Sequence, residues 1–180
     1  MHGMKIYDGT GEATPARREE TVEEWSHRRA VGVAEYAVSG NGTTLVTSGL
    51  GSCVAVGVTD GATVAGLVHV MLPSTDDRSA DNPAKFADTG VETLVRALVA
   101  SNAKPADLFS KIAGGSEMIT FRSQGRSIGE RNVEAVRDAL EGVGVPLMAE
   151  DVGGTEGRTV EFSSSGDLVV RSADAGERTL

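Results

Sequence analysis

Val54-Ala55-Val56-Gly57-Val58-Thr59-Asp60-Gly61-Ala62-Thr63-Val64-Ala65-Gly66-Leu67-Val68-His69-Val70-Met71-Leu72 is two β-rich runs around an Asp-Gly turn. An Asp-Gly dipeptide between alternating apolar runs is a strong hairpin signal. Valines fall on one parity, at 54, 56, 58, 64, 68 and 70, and give the pair a core-facing side. The other parity carries Ala55, Gly57, Ala65, Leu67 and His69. With Asp60-Gly61-Ala62 as the loop, Thr59 pairs with Thr63, and counting back sets Cys53 directly opposite His69. Opposed side chains share a face with Cβ atoms about 4.5–5.5 Å apart. A one-residue bulge would break this register.

The pairing matters because Cys53 is the only cysteine and His69 one of three histidines. A disulfide within the chain is impossible, and a thiolate metal cluster has no second sulfur, so no metal or other cofactor is expected. Cys53 is then either a buried, inert thiol or a nucleophile beside a base. Burial preference favours the inert thiol by about two to one. The opposed register, and the approach through Gly49 and Gly51 that lets backbone N–H groups come close to a ligand, bring the two level.

Longer stretches decide between them. Thr47-Ser48-Gly49-Leu50-Gly51-Ser52-Cys53-Val54-Ala55-Val56, followed by Gly66-Leu67-Val68-His69-Val70-Met71-Leu72-Pro73, resembles the signature of the CheD family, the chemoreceptor glutamine deamidases. Lys111-Ile112-Ala113-Gly114-Gly115, Ile128-Gly129-Glu130-Arg131-Asn132, and Ala149-Glu150-Asp151-Val152-Gly153-Gly154 with Gly157-Arg158 resemble three further family segments in the same order. Ala113 stands where the family has an aromatic, and Ser116-Glu117 replaces a smaller, uncharged pair.

The resemblance implies an α+β layered fold, with two packed, mostly antiparallel β-sheets and helices on one outer side. It implies deamidation of glutamines on the cytoplasmic helices of chemoreceptors, with glutamyl methyl esters as a possible second substrate. Docking to a CheC-type phosphatase is implied alongside, and a regulatory binding module with little catalysis is the alternative. A Cys-dependent hydrolase of a small-molecule amide is the third. Cys53 takes the role of nucleophile, His69 of general base and Thr47 of third catalytic residue. A partnered imidazole is expected to raise the thiolate fraction of Cys53. Backbone N–H groups around Ser52 and Cys53 are the first oxyanion candidates, with Gly51 beside them. Gly114, Gly115, Gly153 and Gly154 are weaker ones, because Gly-Gly pairs commonly serve as tight turns.

Composition sets the frame. At 180 residues the chain suits one domain with a real core. No apolar run approaches a membrane span and no apolar signal region opens the chain, which reads as a cytoplasmic protein without direct membrane insertion. The net charge of −9 disfavours nucleic acid as a partner. Only four of the 17 basic residues are lysines, a surface seen in salt-adapted proteins and also produced by arginine-rich codon usage. Residues 1–31 read as a charged, flexible extension, 32–171 as the CheD-like domain and 172–180 as a polar, loose tail. Within the core, Asn82 before Pro83 predicts a helix to about Ser101, with Phe86, Val91, Leu94, Leu98 and Val99 as its apolar residues. Ser127 with Glu130 has capping-box spacing and opens a second helix.

Overall fold

The computed structural model describes residues 27–40, 42–75, 81–117, 122–123 and 125–180. Most of the extension therefore lies outside the described residues. Its last residues do not stay apart from the core: β1 (Arg28–Ala30) pairs in parallel with β3 (Thr44–Leu50). Next come β2 (Tyr36–Gly40), β4 (Val54–Thr59) and β5 (Val64–Val70), then helix α1 (Ala87–Ala100) and β6 (Phe109–Gly114). The short pair β7 (Arg122–Ser123) and β8 (Arg126–Ser127) leads into α2 (Ile128–Gly142). The chain closes with β9 (Leu147–Val152), β10 (Arg158–Phe162), β11 (Leu168–Ser172) and β12 (Gly176–Thr179). The tail beyond 172 is thus an edge strand on β11 rather than a loose end.

The strands form two mixed, mostly antiparallel sheets in an α+β fold, ordered β1-β3-β10-β11-β12 and β2-β5-β4-β6-β9. Each residue of β4 and β5 is buried, because both faces are covered. The valine face (54, 56, 58, 64, 68, 70) packs under the helices, against Val91, Leu94 and Leu98 of α1 and Val133, Val136 and Leu140 of α2. The other face, through Ala55, Ala65 and Leu67, meets Leu45, Leu50, Val160, Phe162, Leu168 and Val170 of the first sheet. Small residues on this inner face are a packing requirement: a Cβ on Gly57 would sit 2.9 Å from three atoms of the Phe162 ring. The layers run sheet, sheet, helices, as the resemblance implied. Among the described residues no helix is long and apolar enough to cross a membrane.

Two local expectations need correction. The hairpin register is offset by two residues: Thr59 pairs with Ala65 and Ala55 with His69. Asp60 is the cause. Its carboxylate accepts the N–H groups of Ala62, Thr63 and Val64 at 3.0, 2.8 and 3.1 Å, which moves Asp60 out of the loop to a place opposite Val64. Secondly, Asn82 caps only a 3₁₀ turn, Pro83–Lys85. Phe86 then goes extended to bridge Leu72, and the α-helix begins at Ala87. Val99 falls off the buried stripe and is 40% exposed. The capping box at Ser127 forms as expected, with both reciprocal bonds.

Candidate active site

Because the register is offset by two residues, side-chain parity is kept. Cys53 and His69 still point to the inner face, but they are diagonal neighbours rather than directly opposed. Diagonal partners lie about 7–8 Å apart, somewhat less between Cβ atoms, within reach of a long side chain. Cys53, just before β4, packs against the inner cluster, while His69 in β5 is fully buried.

Thr47 comes to His69 from the facing sheet. Ordinary alternation along β3 turns Thr47 inward two residues after Leu45, and a bulge follows it: Thr47 pairs with Val160 and Leu50 with Arg158, so β3 carries one extra residue. Gly49 turns that corner at φ +74, a conformation that costs a side-chain-bearing residue about 1–2 kcal/mol. Leu45, Thr47 and Leu50 consequently all face inward, and the chain is aimed at Gly51-Ser52-Cys53. Across the layer, Thr47 Oγ1 and His69 Nδ1 are hydrogen-bonded at 2.8 Å in a buried setting. His69 Nε2 is buried and has no hydrogen-bond partner, so the thiol does not bond it.

Burial sets the electrostatics. It holds the His69 imidazole down at about 4, and it pushes the Cys53 thiol up despite an opposing hydrogen bond from the residue's own backbone. The pair is therefore a neutral thiol and a neutral imidazole at pH 7. The expected rise in thiolate does not occur, because desolvation disfavours both charged forms. Among the described residues no three His, Cys, Asp or Glu side chains gather as a metal ion would require.

The Cys53 loop is gripped from behind, one carbonyl at a time. Ser116 N–H donates to Gly51 C=O at 2.8 Å, Asn132 Nδ2 to Ser52 C=O at 2.8 Å, and Gly115 N–H to Cys53 C=O at 2.8 Å. Gly114 has to be glycine for this fit: φ is +119 and a Cβ would stand 2.2 Å from Cys53 O. Among the glycine candidates, Gly51, Gly115 and Gly153 each donate their N–H to a backbone carbonyl. Gly154 accepts from Glu117 N–H, so the second glycine pair braces the first. Ser52 and Cys53 make no such donation among the described residues.

On the other side, the turn Gly32–Glu35 holds the His69 backbone. Ala34 N–H donates to His69 C=O at 2.9 Å and His69 N–H to Glu35 C=O at 3.0 Å. Ala34 sits at φ 58, sparsely populated by non-glycine residues. Neither Ala34 nor Asn132 stood out from the sequence as a site residue. Asn132 left a signal, since it is a polar residue on the apolar stripe of α2 with Val133, Val136 and Leu140.

Residues 71–172 match the family model described as CheD chemotactic sensory transduction. That match starts two residues after His69, so full-length relatives carry the comparison over the Cys53 loop. The "Probable chemoreceptor glutamine deamidase CheD" of Haloarcula marismortui is 45% identical over 179 residues, 98% of this chain and 100% of the relative. The chain belongs to the CheD family. The "Chemoreceptor glutamine deamidase CheD" of Thermotoga maritima is 47% identical, over 84% of this chain and 96% of the relative. The protein of the same name from Bacillus subtilis is 42% identical, over 83% of this chain and 94% of the relative.

Proposed function

We propose that this chain deamidates glutamine side chains on the cytoplasmic helices of chemoreceptors, with Cys53 as nucleophile, His69 as general base and acid, and Thr47 as the group that orients His69. The activity rests on membership of a family whose relatives carry that name. The observation that carries the residue roles is the buried Thr47–His69 bond beside an imidazole nitrogen with no partner. With Thr47 Oγ1 accepting from Nδ1–H, the lone pair of Nε2 faces the inner side of the sheet where Cys53 lies.

In this reaction Nε2 takes the thiol proton as sulfur adds to the carboxamide carbon, giving a tetrahedral oxyanion. The imidazolium returns that proton to the nitrogen, the C–N bond breaks and ammonia leaves, producing a γ-glutamyl thioester. Water, deprotonated by His69, attacks the thioester; the C–S bond breaks, the thiolate regains a proton, and glutamate is released. A glutamyl methyl ester passes through the same acyl intermediate with methanol as leaving group. Because the resting pair is neutral, attack and proton transfer are coupled and no standing thiolate is needed.

The chain works in the cytoplasm in this account, where receptor helices are reached and a lone thiol stays reduced. Docking of a CheC-type phosphatase belongs to the same proposal as a separate function of the surface. A Cys53→Ala variant should lose deamidation and keep partner binding. Loss of both together would make docking and catalysis inseparable.

A further inference from the structure

We infer that Asn132 is a positioning residue that builds the oxyanion hole by fixing the peptide between Ser52 and Cys53, an inference that rests on the proposed thioester chemistry. Its side chain is completely buried. One Nδ2 group donates both hydrogens, to Ser52 C=O at 2.8 Å and to Met71 C=O at 2.9 Å. Two carbonyls converging on one group admit only the NH₂ end of an amide, so the side-chain orientation is dictated by chemistry. Oδ1 is left buried without a hydrogen bond. Leaving a buried acceptor unmet costs about 1–3 kcal/mol, and Val133, Val136 and Leu140 on the same stripe show that an apolar side chain fits this face of the helix. What an apolar side chain there would lack is the donor that holds the Ser52 and Met71 carbonyls.

Planarity explains what it does. In a trans peptide the C=O and the following N–H point in opposite directions. Asn132 draws the Ser52 carbonyl back toward α2, and so aims the Cys53 N–H forward, to the side of its own sulfur. Ser116 N–H draws the Gly51 carbonyl back in the same way, which aims the Ser52 N–H forward beside it. Two adjacent N–H groups that donate to no backbone carbonyl among the described residues supply the pair of donors that a tetrahedral oxyanion needs. The second hydrogen of Nδ2 reaches Met71, two residues beyond His69 and just past the end of β5. One amide thereby joins the nucleophile loop to the segment that leaves the strand of the base.

Asn132→Ser and Asn132→Ala test this beside the wild type. The probes are deamidation kinetics, inhibition by an aldehyde in which –CHO replaces the carboxamide of a glutamine side chain, and alkylation by iodoacetamide. Sulfur adds to the aldehyde carbon, the thiol proton passes to His69, and the carbonyl oxygen becomes an anion in the hole. Alkylation displaces iodide and forms no oxyanion. Both variants should lower kcat by about 10²-fold with KM unchanged, as for loss of one aimed donor. Aldehyde affinity should fall in parallel, while the alkylation rate stays at the wild-type value. If kcat and aldehyde affinity are retained while only the unfolding temperature drops, Asn132 is structural and the inference fails. A parallel fall in alkylation overturns it too, because the sulfur itself has then been displaced. A wild-type chain that the aldehyde does not inhibit overturns the thioester reaction and the inference together. Should Asn132→Ala not fold, Asn132→Ser, which keeps one small donor, is read alone by the same criteria.

Discussion

At His69 the decisive quantity is the cost of charging a buried ring. A histidine held at about 4 in the folded chain, against about 6.5 when unfolded, makes the unfolded state the better proton acceptor between those values. Stability should therefore be complete above about pH 6.5 and fall as the pH drops toward 4, by up to about 3 kcal/mol. A denaturant series from pH 7 to pH 4 checks this, and His69→Gln should flatten the slope in that window. For the sulfur the sign is opposite. Alkylation of Cys53 should still be rising with pH above the ordinary thiol range near 8.5, and a plateau below pH 7 would mean a stabilised thiolate. His69→Ala should reduce deamidation by about 10²–10⁴-fold. Thr47→Ala should reduce it less, with the fold intact, since it removes an orienting bond and not the base. Which residues to test was legible in the chain, because one cysteine and one strand histidine left little choice. Their ionisation was not legible. It depends on how completely the second sheet covers them, and no local pattern carries that.

The element that most rewarded sequence reading was the β4–β5 hairpin, and it shows where such reading stops. Parity came directly from the valine alternation and survives in the structure as two buried faces. Register does not, because Asp60 reads as a turn residue while its carboxylate gathers three N–H groups and the residue takes a paired position. The Lys111–Gly115 stretch is the complementary case. Gly114 and Gly115 read as a tight turn, yet what makes them glycine is contact with the Cys53 carbonyl and with Val133 from remote parts of the chain. Gly114→Ala should thus cost both stability and activity, since the new Cβ must push Cys53 O away from 2.2 Å. Gly57→Ala, whose three nearest neighbour atoms all belong to the Phe162 ring, should cost about 1–3 kcal/mol of overpacking and leave more activity. Thermal melts and deamidation rates on the two variants separate these outcomes. Equal losses of activity would place the Cys53 loop beyond the influence of Gly114.

Over the whole molecule the two sheets are also clasped by charge. Asp151 on β9 is buried and bonded to Arg158 on β10 at 3.1 Å, with Arg178 of β12 on the same carboxylate. Lys111 of β6 meanwhile donates to the Leu180 carbonyl. Asp151→Ala would strand the buried Arg158 and should destabilise the chain by about 3–5 kcal/mol, read in a denaturant titration. The chain as a whole carries 26 acidic against 17 basic residues. Self-repulsion of that kind is screened as the Debye length shrinks from about 10 Å at 0.1 M to about 3 Å at 1 M salt. The unfolding temperature should rise with KCl over this range, and a steady fall would show that attractive pairs dominate the surface instead. Above all these expectations stands the proposed reaction itself. Its most direct measurement is the intact mass of a chemoreceptor cytoplasmic fragment incubated with the wild-type chain and with Cys53→Ala. The account predicts a gain of about one dalton for each amide hydrolysed through the cysteine with wild type, and none with the variant. An unchanged mass with wild type, or an equal gain with Cys53→Ala, would contradict it.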